Sequence, residues 1–224
     1  MIAWTNTVGA APQVCDDLVA DLRAVRFEYA TWKRQLRRGA APRQRANLPL
    51  EAKANLIRVF TPEMVPGLLQ TPDYARHVFH RLATLHGTPN DAEDGVRVRM
   101  HRQRVLYDSR KQLRFLLTEA ALRYRIAPPH VHQGQLDRLL AVQALDTLDL
   151  AVIPFTATLP VVPSHGFTMF DDTLVLVEIT GAELAFRERV EINLYREVFE
   201  RLWAVGEAGL PAAALIRRAM HEGR

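Results

Sequence analysis

The sequence predicts an α+β domain, with an N-terminal helical layer followed by a small sheet of about four strands packed with helices. Apolar residues recur every three to four positions through the first half of the chain. The period changes to alternation after Ser109, and helical spacing returns toward the C-terminus.

In order, residues 1–15 lack periodicity and carry Gly9 and Pro12, so they read as a flexible arm; residues 16–224 read as one domain, helical over 16–108 and sheet-containing over 109–224. Leu18, Leu22, Val25, Tyr29, Trp32 and Leu36 mark an amphipathic helix that stops near Gly39. Residues 39–49, with Pro42, Arg43 and Arg45, read as a loop, and a second helix is expected over 49–60. A Pro66-Gly67 turn follows. Thr71 then caps a helix with Pro72 in its first turn, running to about Leu85, and a further helix spans 91–107. Residues 112–118 alternate as a strand, 119–123 form a tight segment, and 133–145 return to helix. Strands are expected at 148–155, 166–170 and 173–179, the last two joined by a hairpin turn at Asp171-Asp172; helices at 187–205 and 211–222 close the chain.

Composition narrows the function classes. The chain has 224 residues, 48% of them hydrophobic, enough for a sizeable core. It has neither a run of apolar residues long enough to span a membrane nor a basic-then-apolar leader, so a cytoplasmic protein without membrane association is expected. A single cysteine, Cys15, allows no internal disulfide. The net charge of +4 is modest, and Lys33, Lys53 and Lys111 are the only lysines. Arg34, Arg37, Arg38, Arg43 and Arg45 cluster near one junction, which reads as a solvated helix end before it reads as a phosphate-binding patch. No phosphate-binding glycine loop, dinucleotide fingerprint or kinase signature is present, so no cofactor is implied. His77 with His80, and His130 with His132, have metal-compatible spacings without an evident third ligand, so no metal is assigned.

Several side chains are candidates for chemistry. Glu119 and Glu178 each stand at a strand end, where carboxylates serve acid–base work or pair with arginines such as Arg123. Ser164-His165-Gly166 places a loop histidine that, with Tyr74 and Glu178, has the makings of a proton shuttle. If the sheet packs against the helix that starts at Thr71, then Gln70, Tyr74, Phe115, Glu119, Phe155, Phe167, Phe170 and Glu178 converge. Such a set describes either an apolar pocket with a few polar groups or an ordinary core rimmed by carboxylates.

The segment Val65-Pro66-Gly67-Leu68-Leu69-Gln70-Thr71-Pro72-Asp73-Tyr74-Ala75 resembles the hallmark of an antitoxin-like regulator family of actinobacteria, of the WhiJ type. Arg99 to Leu106 is similar to the family's R-x-x-RQ-x-x-L helix, and Leu117 to Leu122 to its strand ending in E-A-x-L. Trp32, Leu50-Glu51-Ala52 and Ile57 to Phe60 are similar to the family domain's beginning, and Gly166-Phe167, Val177-Glu178 and Tyr195, Phe199 and Leu202 to its later part. The resemblance covers about residues 21–220 and implies the effector half of a regulator whose usual helix-turn-helix is missing. The expected function is a stand-alone, antitoxin-like regulatory domain that binds a small apolar ligand or a partner protein, without direct nucleic-acid contact. The alternative is a cofactor-independent cyclase, isomerase or lyase of natural-product biosynthesis, with His165, Tyr74, Glu119 or Glu178 as acid–base groups. The Tyr29, Trp32 and Leu36 stripe is a candidate homodimer surface.

Overall fold

The computed structural model describes residues 11–14, 16 and 28–222. The architecture is α+β, and the sheet is larger than the sequence suggests. Its eight strands are β1 (Glu28–Thr31), β2 (Leu56–Thr61), β3 (Gln112–Thr118), β4 (Leu148–Ile153), β5 (Phe167–Phe170), β6 (Leu174–Ile179), β7 (Ala182–Phe186) and β8 (Glu207–Ala208). They lie in the order β1-β7-β6-β5-β2-β3-β4-β8. The β2–β3 and β3–β4 pairs are parallel, and the other pairs are antiparallel.

Helices cover both faces. They are α1 (Trp32–Gln35), α2 (Ala40–Lys53), α3 (Pro72–His86), α4 (Ala92–Arg102), α5 (Glu119–Arg123), α6 (Pro129–Val142), α7 (Arg189–Trp203) and α8 (Leu210–Glu222). Alternation along the strands sends Ile57, Val59, Phe115, Leu117, Leu150 and Val152 to one face. There they meet Val65, Leu68, Leu69 and Tyr74 of the hallmark together with side chains of α6 and α8. Phe60, Leu116, Ala151, Phe167 and Val175 point the other way, onto Ile192, Phe199 and Leu202 of α7. Among the described residues no helix is long and apolar enough to cross a membrane.

Three expectations need correction. The helix expected over 49–60 ends at Lys53, and the β-branched and aromatic run Ile57, Val59, Phe60 forms β2 in the middle of the sheet. The expected boundary between a helical part at 16–108 and a sheet part after it therefore does not hold, since β1 and β2 fall in the first part. Residues 39–49 are mostly helix. Gly39 adopts φ 88°, and Asp91 accepts hydrogen bonds from the Ala40 and Ala41 amides at 2.6 and 2.9 Å, so the start of α2 is capped by a residue far along the chain.

Most of the N-terminal arm and most of the first expected helix lie outside the described residues; within the arm, residues 12–14 are helical and exposed. Where that helix was expected to continue, residues 28–31 instead pair with Ala182 to Ala185 of β7. Trp32 and Leu36 are buried in the chain's own fold, and Trp32 Nε1 donates to the Ile179 carbonyl at 2.7 Å, so these two residues are not offered to a second copy.

Candidate ligand-binding site

The hallmark segment is a short 3-10 turn, Gly67–Leu69, leading into α3, and its polar atoms are satisfied from several directions. Thr71 caps α3, its Oγ1 accepting from the Tyr74 amide at 3.3 Å, with Pro72 in the first turn. The Thr71 amide donates to Gln135 Oε1 at 2.7 Å, and Gln135 Nε2 donates to the Leu69 carbonyl at 2.9 Å. Gln70 Nε2 donates to the Val65 carbonyl at 2.7 Å, while the Gln70 carbonyl accepts from Gln103 Nε2 at 2.6 Å. Two glutamines from α6 and the turn after α4 thus pin a loop whose buried backbone groups would otherwise be costly.

The remaining Gln70 oxygen connects this loop to a buried arginine pair on α4. Arg99 Nη1 donates to Gln70 Oε1 at 2.5 Å, and Arg99 Nε donates to Gln44 Oε1 at 3.2 Å. Gln44 Oε1 also accepts from Arg102 Nη1, and Arg102 grips Glu51 through Nε and Nη2, with Nε 3.0 and 3.1 Å from the two carboxylate oxygens. The spacing of three places both arginines on one face of α4, and α2 supplies Gln44 and Glu51 opposite them. Gly67 matters for the approach, because a Cβ there would stand 3.3 Å from Arg99 Cζ and Nε. Arg99 also lies over the Phe79 ring at 4.1 Å.

The two arginines differ in one decisive respect. Arg102 has a buried carboxylate partner, whereas Arg99, only 7% exposed, meets two neutral amide oxygens and forms no ion pair among the described residues. Burial, followed by the charge of Arg102, pulls the Arg99 guanidinium down to about 9.

A cavity of about 230 Å³ opens beside this pair, with Arg43, Gln70, Arg99, Phe115, Phe167 and Glu178 in its walls. Its carboxylates are already engaged or outward-facing: Glu51 holds Arg102, Glu63 is exposed, and Glu178, with its side chain 60% exposed, lies 3.4 Å from Arg43. Arg43 also pairs with Glu183 and donates to Asn47 Oδ1 at 2.5 Å. Burial outweighs the attraction of Arg43 and leaves the Glu183 carboxyl raised above its ordinary range. A second cavity of about 280 Å³ adjoins, and Trp32, Leu36, Val78, Phe79, Leu82 and Pro89 make it largely apolar.

Of the residues singled out from the sequence, Gln70, Phe115, Phe167, Phe170 and Glu178 share the first cavity. The others do not join them. Tyr74 is wholly buried in the core, its hydroxyl pushed up to about 12 by burial. Glu119 is buried at the end of β3, where it pairs with Arg123 at 2.5 Å and accepts from the Phe155 amide at 2.9 Å. Burial works to raise its carboxyl, and those two donors outweigh it and leave it lowered. Phe155 is 65% exposed, its ring 5.6 Å from the Arg123 guanidinium. His165 lies by α7, with Nε2 3.5 Å from the Tyr195 hydroxyl. Tyr74, Glu119, His165 and Glu178 thus occupy four separate environments and form no acid–base set. Of the basic cluster, Arg43 is buried, Arg37, Arg38 and Arg45 are exposed, and the Arg34 side chain lies outside the description.

Arg99, Arg102, Gln44 and Glu51 are the functional candidates that the sequence did not single out. A signal existed in the Arg99-x-x-Arg102-Gln103 pattern, two cations and an amide on adjacent helical positions. Their partners sit on α2, which the sequence does not place.

Residues 44–218 match the model of a family described as a domain of unknown function (DUF5753). The chain belongs to that family. The matched span of this DUF5753 domain begins at Gln44 and includes Glu51, Gln70, Arg99 and Arg102. No curated protein matches the chain by sequence. Among solved structures, that of TrmBL2, an archaeal chromatin protein with a novel mode of DNA binding, is 12% identical at a TM-score of 0.39, over 88% of this chain and 60% of that one. A likeness at that level carries no functional weight.

Proposed function

We propose that this DUF5753 domain is a regulatory effector domain that takes a small anionic organic ligand into the Arg99 cavity. The observation that supports this is a buried guanidinium, on a cavity wall, held by neutral amides alone. A buried cation with no carboxylate in contact is costly, because Glu51 and Glu178 act on it only from a distance, and an entering carboxylate or phosphate supplies a direct countercharge and accepts from the guanidinium. A purely apolar ligand would leave that charge uncompensated, so the ligand carries an acid. The regulatory, antitoxin-like role rests on the resemblance to WhiJ-type actinobacterial regulators; in that setting occupancy of the cavity is the signal.

Thermal unfolding of the full chain tests the reading, with acetate, propionate or inorganic phosphate against chloride at equal ionic strength. At least one organic acid or phosphate should raise the midpoint of the native protein and leave Arg99→Gln unmoved. Equal responses of the two proteins would remove Arg99 as the anion site.

A further inference from the structure

The two cavities have walls in common. Arg43, Gln44, Met64, Arg99 and Glu178 line both, and Met64 is the one apolar side chain the two share among the described residues. Arg99 stands at the boundary: its Nη1 and Nε edge meets Gln70 and Gln44, and its flat face covers the Phe79 ring at 4.1 Å. A group held at Arg99 is therefore next to the start of the apolar wall, where Val78, Phe79 and Leu82 follow one another along α3. Small-molecule sites usually begin at about 300 Å³. Neither cavity reaches that alone, at about 230 and 280 Å³, while the two taken as one space do.

We propose that the ligand is amphiphilic, with an anionic head at Arg99 and an apolar body lying in the second cavity over Phe79 and Leu82. This rests on the anion-binding reading above and adds the chemistry of the other end. Met64, unbranched and able to change rotamer, is the side chain that yields as the body passes between the two spaces. The polar head fixes orientation and the apolar body supplies most of the affinity, as burying each methylene does elsewhere.

Straight-chain carboxylates from acetate to decanoate, titrated calorimetrically into the full chain, test this. The dissociation constant should fall about fourfold per added methylene until the second cavity is full. Alkylammonium ions of the same lengths should not bind. Ala83→Phe, whose ring would enter the second cavity, should keep acetate binding and flatten the gain with chain length. Leu85→Trp, from an exposed position on the same wall, should do the same. A gain that survives both substitutions would overturn the proposal. So would an acetate site that depends on Arg99 and shows no gain with length, although the anion reading would then stand. Acetate binding that is indifferent to Arg99→Gln would instead remove the anion reading itself.

Discussion

The two faces of the sheet differ in how completely they compensate arginine. Toward α7, Arg58 and Arg114 occupy paired positions on β2 and β3. Arg114 donates to Glu200 at 2.6 Å and lies over the Trp203 ring at 4.2 Å, and Arg58 lies 3.3 Å from Asp172 and 3.5 Å from Glu200. Each cation there has a carboxylate, and Arg114 has an aromatic face as well. On the hallmark side, Arg102 follows the same rule with Glu51, and Arg99 breaks it. A fold that pairs the buried guanidinium groups of Arg43, Arg58 and Arg102 with carboxylates and leaves that of Arg99 beside a cavity marks Arg99 as the one with something still to bind. Unpaired buried charge is tolerated where function requires it.

The largest expected effect comes from turning Arg102 into a second Arg99. Glu51→Ala leaves that guanidinium buried without its carboxylate and should lower the unfolding free energy by about 3–5 kcal/mol, read by urea denaturation. Arg99→Met should separate binding from stability. Removing an uncompensated buried charge offsets the lost bond to Gln70, so stability should change by no more than about 1 kcal/mol. Affinity for the organic acid should fall at least about tenfold. If Arg99→Met costs as much stability as Glu51→Ala, the contrast between the two arginines is wrong.

Protonation offers another way to sharpen the contrast. Arg99 is the guanidinium pulled down to about 9, and only its charged form attracts an anion. Burial makes this charge easier to lose than that of an exposed arginine, so affinity should be flat near neutrality and decline first in the alkaline range. The bound anion stabilises the charged form, which moves the decline upward in pH for the complex. Calorimetric titration across the alkaline range reads both. An affinity that rises with pH would exclude Arg99 as the receiving group.

Much of the frame was legible in the sequence. The strand at 112–118, the tight segment after it and the cap of α3 at Thr71 follow from local alternation and capping chemistry, and the structure reproduces them. The elements that were missed depend on distant partners. Residues 28–31 became a strand by pairing with β7, which is itself rich in helix-favouring alanine, leucine and glutamate. Gly39 looked like a helix stop because the cap of α2, Asp91, comes from the far side of another element. The site was half legible for the same reason. Gln70 stood among the candidates, but whether a glutamine faces backbone, arginine or ligand is decided by α2 and α4 packing against it, and no spacing along one segment encodes that.

The opposite face supplies the control. Arg114→Met removes the bond to a half-exposed Glu200 and the contact with Trp203, and should cost about 1 kcal/mol, since exposed pairs contribute little. Its affinity for the organic acid should be native.

The smallest effect should come from Thr71→Ala, within the hallmark itself. The cap bond to the Tyr74 amide is long, at 3.3 Å, so its loss belongs at the low end of the range for helix caps, about 0.5 kcal/mol. The Thr71 amide keeps Gln135 and the Gln70 side chain keeps Val65 and Arg99, so the loop stays pinned on both sides without the hydroxyl. Thr71→Ser should restore the cap, and neither variant should change ligand affinity by as much as twofold. A large loss of affinity in Thr71→Ala with full rescue in Thr71→Ser would mean that the start of α3, and not Arg99, sets the geometry of the cavity. The distinction between the scaffold residues of the hallmark and the arginine behind it would then have to be redrawn.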